Sequence, residues 1–489
     1  MRMIRSTLAI AAVVAVCTGC PPPDGGTPPA PSTPPATPNP GLPALPNTPD
    51  GQTFLAGKPP AGQNYNGSAS RVQISGDGNW VVYHHGSENL VMTNRPPGSC
   101  PRVPNTNTQI YRTNLLSGAT ELVSIGTYGC FANGESSFPD VSSNGQYVVY
   151  MSKGTNLAPD GNGGQQDIFV KDMHSGATTI VNKAPNGGAA SGGSSSRPDL
   201  NDSGSLVAYS STATNLVAGD NNGQEDCFVA DRNGSNTRLT SLGVNNQQLD
   251  GLSYRCQLTA DGSRMVFASF AGNAQPGLGG AGQRIYVRNL ANGSTQLVSK
   301  KSNGQPAKAS RPDISSDGAC VVYQTTDGQI VPGDADTQDD IFLYRLATGA
   351  TSILSLDRSG NHVSAATTRV VVNYDCTKVA FVSNSNKMVP EDNNGTRDTF
   401  LKDLSAGTLF LLSVNSAGQQ AHPCSSRPPP APTTTQPGGH NPTGAEDIST
   451  RPSISDDGRV VTYISDVCGL VPEEPQMAGY DGVIVRWMR

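Results

Sequence analysis

Ser310-Arg311-Pro312-Asp313-Ile314-Ser315-Ser316-Asp317-Gly318-Ala319-Cys320-Val321-Val322-Tyr323 is the stretch on which the fold turns. A short run from Arg311 to Ile314 meets a tight Asp-Gly turn, and a second run from Cys320 ends in an aromatic five residues after the glycine. Two such runs about an Asp-Gly turn read as a β-hairpin. The same spacing recurs at Gly78 and Tyr83, Gly145 and Tyr150, Gly204 and Tyr209, Gly262 and Phe267, Cys376 and Phe381, and Gly458 and Tyr463. Successive turns stand 67, 59, 58, 56, 58 and 82 residues apart, so the unit is near 58 residues and two copies carry insertions. Periods of this size mark solenoids or propeller blades.

Working outward from the hairpin, a polar loop leads to a third run, Asp340 to Leu343, and a turn at Gly349 opens a fourth, Thr351 to Ser355. Four short strands per unit, rich in Val, Ile, Tyr and Phe, predict an all-β fold of four-stranded antiparallel blades arranged in a ring. The seventh unit stops after its third strand, Val483 to Trp487. Its missing strand is supplied by Gly51-Gln52-Thr53-Phe54-Leu55, which matches the Gly-x-Thr opening of the fourth strands at Gly118, Gly176, Gly293 and Gly349. Pairing that segment into the last blade closes a seven-bladed β-propeller and removes the exposed edges.

The units S-R-P-D-I-S-S-D-G and N-L-V-A-G-D-N-N-G-Q-E-D-C-F-V-A-D resemble the WD-like propeller repeats of the TolB type, common in bacterial envelope proteins. The resemblance covers nearly everything after Gly51 and implies the propeller fold. Function does not follow from it, since such blades serve binding modules, enzyme propellers and regulatory caps alike. Ahead of the propeller this chain carries a proline-rich segment where TolB has an α/β domain.

The N-terminus resembles a bacterial lipoprotein signal. Two arginines precede the short apolar run Ser6 to Val16, which ends in Cys17-Thr18-Gly19-Cys20 and is too short to span a bilayer. The resemblance implies that residues 1–19 are removed, that Cys20 is acylated, and that the protein is exported and anchored in the cell envelope by lipid alone. Residues 20–50 cannot bury a core and read as a semi-rigid polyproline-like spacer, leaving 51–489 as the propeller with a proline-rich insertion at 422–446.

Composition narrows the partners. Charged residues make up 15% and hydrophobic residues 35%, too few for a long-helix protein or a transporter respectively. With 33 Lys plus Arg against 39 Asp plus Glu, the net charge of −6 opposes a broad nucleic-acid surface. The expected partner is an envelope protein or a glycan, and the expected state is a monomer.

Beyond the leader lie eight cysteines, an even number behind an export signal, which favours disulfides. No C-x-x-C pair occurs among them. Placement on the repeat pairs Cys100 with Cys130 and Cys424 with Cys468 on one loop face, and Cys227 with Cys256 and Cys320 with Cys376 between neighbouring blades.

Two patterns mark candidate binding residues. Arg71, Arg197, Arg255, Arg311, Arg369 and Arg451 open the innermost strands, with Phe138 in the second unit. Their guanidinium groups suit an anionic ligand, or alternatively each ties blades together by pairing with a nearby Asp. Three loops repeat D-x-[DN]-x-x-x-D: Asp220, Asn222 and Asp226; Asp334, Asp336 and Asp340; Asp392, Asn394 and Asp398. A related loop holds Asp160, Asn162 and Asp167. Such oxygens suit calcium, although the bidentate Glu of the usual calcium loop is absent. Alternatively the last Asp caps the turn into the third strand while the others are solvated.

Catalytic signals are thin. The sequence has no G-x-S-x-G and no H-E-x-x-H, and the residues point to no catalytic group. His84 and His85 read as a solvated strand end, and Asp339 with Asp340 as solvated loop charges. The function expected is a non-catalytic binding or interaction scaffold. The alternative is a polysaccharide lyase or hydrolase with its site on the face that carries the long loops.

Overall fold

The computed structural model describes residues 51–60, 63–91, 107–126, 129–158, 164–277, 282–334, 337–363, 365–422, 452–465, 468–472 and 481–488. The leader with Cys20, the spacer, Cys100, Asp160, Asn162, Asp336, Cys424, Arg451 and nearly all of the 422–446 insertion lie outside them. The described residues form 28 strands in seven four-stranded antiparallel sheets. Among them no helix is long and apolar enough to cross a membrane.

Blades one to six span 69–122, 136–180, 195–239, 253–297, 310–353 and 367–411. Blade seven combines Ser453–Ile454, Val460–Ser465 and Gly482–Trp487 with Thr53–Ala56, whose residues pair antiparallel with Val483 to Arg486. The ring therefore closes as the chain ends predict. Thr53 fastens the closure further: its hydroxyl donates to the Val414 carbonyl of blade six at 2.7 Å and accepts from Arg486 Nη1 at 2.6 Å.

Burial follows position in the blade. Second and third strands lie between two neighbouring blades, so both faces are covered and runs such as Val207–Ser211 and Asp340–Tyr344 are buried throughout. Fourth strands form the rim and stay partly exposed. The aromatic five residues after each turn stacks on an aromatic of the third strand in six blades, as Tyr209 on Phe228 at 5.8 Å and Phe267 on Tyr286 at 5.5 Å. In blade seven Tyr463 stands opposite Ile484 instead. Such stacked pairs add about 0.5–1.5 kcal/mol beyond simple burial.

The hairpin turns explain the glycine. Gly78, Gly145, Gly204, Gly262, Gly318 and Gly458 all have φ between 64° and 74°, a left-handed conformation that costs other residues about 1 kcal/mol. Blade six places Cys376 there with φ 60°, held by a disulfide to Cys320 of blade five. The second expected inter-blade bridge, Cys227 to Cys256, is also present. Cys130 and Cys468 are disulfide-bonded as well, and their expected partners lie outside the described residues.

One end of the channel is belted. Backbone N–H groups of Asp77, Ser143, Asp202, Ala260, Asp317, Tyr374 and Asp456 donate to the carbonyls of Ser143, Asp202, Ala260, Ser316, Tyr374, Asp456 and Gly76 in turn. These bonds run through all seven hairpin turns and return to the first. Each links one blade to the next, so the belt fixes blade spacing at the end opposite the long loops.

Candidate functional site

At the other end, the innermost strands surround a cavity of about 150 Å³, room for roughly ten water-sized groups. It is lined by Arg71, Arg197, Arg255, Arg311 and Arg369, with Phe138 at the second blade's position. Five of the six sequence-predicted arginines are thus brought together in one place, and the sixth, Arg451, lies outside the described residues.

Their local backbone is unusual. Phe138, Arg197, Arg255, Arg311 and Arg369 have φ of 52°, 51°, 56°, 52° and 57°. At each of them the register against the second strand shifts, as between Ser196 and Asp199 or between Ser310 and Asp313. These are β-bulges, which re-aim side chains and end regular pairing. Arg71 sits beside a bulge without the positive φ. Five non-glycine residues held left-handed at one repeat position cluster strain around one cavity, the pattern expected of a functional site.

The guanidinium groups are partly organised by rings. Arg71 lies 3.2 Å from the Phe138 ring centroid, and Arg197 lies 5.1 Å from Phe138 and 5.6 Å from Tyr254. Cation–π contact desolvates one face of a guanidinium while its edge can still donate hydrogen bonds. Burial raises the Asp339 carboxyl, and the charge of Arg311 opposes that rise only in part.

Two residues beyond the bulge, blades two, three and five carry Asp140, Asp199 and Asp313. Each accepts a hydrogen bond from a backbone N–H of the next or a neighbouring inner strand: Leu200 to Asp140 at 2.7 Å, Leu258 to Asp199 at 2.8 Å and Val372 to Asp313 at 2.8 Å. Gln257 adds a donor to Asp313 at 3.1 Å. Burial raises all three carboxyls, Asp140 to about 6 and Asp313 to about 7. Asp199 rises through burial first and then through the charges of Asp140 and Asp313. The charge of this layer therefore changes across the mildly acidic to neutral range.

His84 and His85 correct the sequence reading. Both are buried rather than solvated. Burial, then the charge of Arg71, drives His84 down to about 3, and burial does the same to His85. His85 accepts from the Ser87 N–H through Nδ1 and stacks on Tyr65 at 5.0 Å, so its proton sits on Nε2. These are neutral packing groups.

The aspartate loops are also corrected. Asp334, Asp392 and Asp340 are buried rather than solvated. In blade three the Gln248 amide donates to Asp220 at 2.8 Å and to Asp226 at 3.3 Å. In blade six Gln420 does the same to Asp392 at 2.8 Å and Asp398 at 3.3 Å. Asn222 donates through Nδ2 to Asp226 and to the Leu249 carbonyl, and Asn394 to the Ala421 carbonyl. In both, Oδ1 accepts a backbone N–H within the loop, from Gln224 and Thr396. The last Asp is the first residue of the third strand and accepts from a serine hydroxyl just beyond the fourth, Ser241 for Asp226 and Ser355 for Asp340. In blade five Asp334, Asp340 and His362 offer ligand atoms that all lie within 4.8 Å of one another, a group able to hold a metal ion.

No family model matches the chain, and no curated protein matches it. Solved structures do. An oligogalacturonate lyase in complex with manganese is 10% identical over 90% of this chain and 96% of its own, with a TM-score of 0.50. An oligogalacturonate lyase from Vibrio parahaemolyticus is 9% identical over the same shares, also at 0.50. TolB from Acinetobacter baumannii is 12% identical over 71% of this chain and 64% of its own, at 0.38. At such identities the likeness is one of fold, the seven-bladed propeller.

Two groups of site residues escaped the sequence reading. The channel aspartates follow the arginine by two residues in S-R-P-D, but their bond to a neighbouring blade is a tertiary fact. Gln248, His362 and Gln420 stand at one spacing, 22 residues after Asp226, Asp340 and Asp398. That constant interval was a signal available in the repeat.

Proposed function

We propose that this protein is a non-catalytic binding propeller of the cell envelope whose channel mouth grips a carboxylate-bearing ligand, presented by a glycan or by a partner protein. The observation that carries the reading is the set of arginines at one repeat position, four of them on left-handed bulges, around a single cavity. Guanidinium groups pair with carboxylates in a bidentate manner. The belt and the disulfides hold the ring rigid, which preorganises the site.

Calorimetric titration with trigalacturonate, an acidic peptide and neutral maltotriose tests it, at low and at physiological salt. Saturable binding of one acidic probe, weakened by salt and absent for maltotriose, supports the reading. Equal or absent binding of all three contradicts it.

The lipoprotein-like leader supports export and anchoring through Cys20. Fatty-acid labelling of the full chain that persists in Cys20→Ser would remove that part of the proposal. Calcium is the occupant suggested by the D-x-[DN]-x-x-x-D spacing, and its support is weakest in the two loops where a glutamine amide already bridges the carboxylates.

A lyase or hydrolase acting on an acidic polysaccharide is the second reading, favoured by the shared fold with oligogalacturonate lyases and by the same cationic cavity. Against it, the cavity lining among the described residues includes no histidine, and Asp334, Asp340 and His362 are not part of that lining. Release of unsaturated uronide from trigalacturonate would establish turnover.

A further inference from the structure

Three blades build the same pair of carboxylates, and they differ in what spans the pair. In blades three and six a glutamine from the following connection inserts its amide, whose N–H groups reach both acids. The amide occupies the place a cation would need, and it does so with no charge change. At the equivalent position blade five has His362, set in the same isolated bridge, Leu356 with His362, as Leu242 with Gln248 and Val414 with Gln420. There the amide donor is replaced by an imidazole, which carries a nitrogen lone pair as well as an N–H.

We propose that Asp334, Asp340 and His362 bind one divalent first-row transition metal, Zn²⁺ or Mn²⁺, while the two glutamine loops remain metal-free. The three ligand atoms already lie within 4.8 Å of one another, and around one ion of this class, at bond lengths of about 2.1 Å, ligand atoms stand roughly 3–3.5 Å apart. Side-chain rotation covers that difference. Both acids are buried, at 4% and 2% exposure, and His362 is half-buried. The Ser355 hydroxyl donates to Asp340 Oδ1, and the Ile330 N–H donates to Asp334 Oδ2 at 3.2 Å. Hydrogen bonds of this kind orient carboxylates toward an ion. A nitrogen ligand beside two carboxylates selects a transition metal over calcium, which takes six to eight oxygens.

The repeat supplies its own controls. The full chain, disulfides intact, is loaded with Zn²⁺ and desalted, its bound metal measured, and its Co²⁺ form followed by visible absorption. We expect about one equivalent for the wild type. His362→Gln, which installs the residue of the sister loops, loses at least about tenfold in affinity while its melting temperature in chelator is unchanged. Gln420→His gains a second equivalent. Zn²⁺ bound equally by His362→Gln, or no Zn²⁺ retained by the wild type, overturns the proposal and leaves the imidazole as a hydrogen-bond substitute for the amide. A Gln420→His chain with no added metal overturns the claim that the imidazole decides occupancy.

Discussion

The channel holds two charged layers, arginines at the mouth and aspartates just beneath, and they are built for different ends. Each aspartate accepts a backbone N–H from a neighbouring blade. Removing it strands that buried donor, so the aspartates belong to the framework. Arg197, Arg255, Arg311 and Arg369 instead sit on left-handed bulges that cost stability, and with Arg71 they line a cavity. Identical residues in a repeat therefore need not share one purpose: the same strand carries a structural tie and, two residues earlier, a strained side chain facing the cavity.

The framework half predicts the largest effects. Opening the Cys320–Cys376 bridge, which spans 56 residues, should cost about 4 kcal/mol. With Cys320 already changed to Ala, Cys376→Ala should lie about 1 kcal/mol below Cys376→Gly, because only glycine accepts that turn without strain. Denaturant unfolding of the pair measures it, and equal midpoints would show that the turn tolerates a side chain.

Asp313→Ala should cost about 1–3 kcal/mol by leaving the Val372 N–H and the Gln257 amide without their acceptor. Asp313→Asn keeps an acceptor and removes the buried charge. The sign of the pH effect follows: a carboxyl raised to about 7 in the fold binds its proton more tightly there than in the unfolded chain. Its contribution is present at low pH and lost as pH rises through about 7. Asparagine should therefore flatten the fall in melting temperature between about pH 4 and about pH 7, the interval from the unfolded to the folded pKa. A profile unchanged by Asp313→Asn would place the titrating group elsewhere.

The smallest effect sharpens the contrast between the layers. Protonating Asp140, Asp199 and Asp313 removes negative charge beneath the arginines, so affinity for an acidic probe should rise several-fold as pH falls from neutral to mildly acidic. Affinity that falls instead, with the probe still ionised, would mean the carboxylates help to hold the ligand.

The fold was legible because one spacing, glycine to aromatic at five residues, repeats in seven units, and because the unpaired last blade has its missing strand at Thr53–Ala56. Both inter-blade disulfides among the described residues were legible for the same reason. What the spacing hides is what depends on neighbours in space. The left-handed bulge at Arg197 looks like ordinary strand in sequence. His84 and His85 read as a solvated strand end, yet both are buried, His85 under the Tyr65 ring. Asp334 and Asp392 read as solvated loop acids, and only the connection arriving from the same blade's outer strand, with His362 or Gln420, shows why they are buried.

The central claim is that the arginines are there for a ligand and the aspartates for the framework. Replacing Arg197 and Arg311 together by glycine, which adopts their φ of 51° and 52° without strain, separates the two. Calorimetry with trigalacturonate and a melting curve on the same sample should show binding weakened by about tenfold or more, with a melting temperature that does not fall. A lower melting temperature with undiminished binding would contradict the account and make the arginine ring part of the framework.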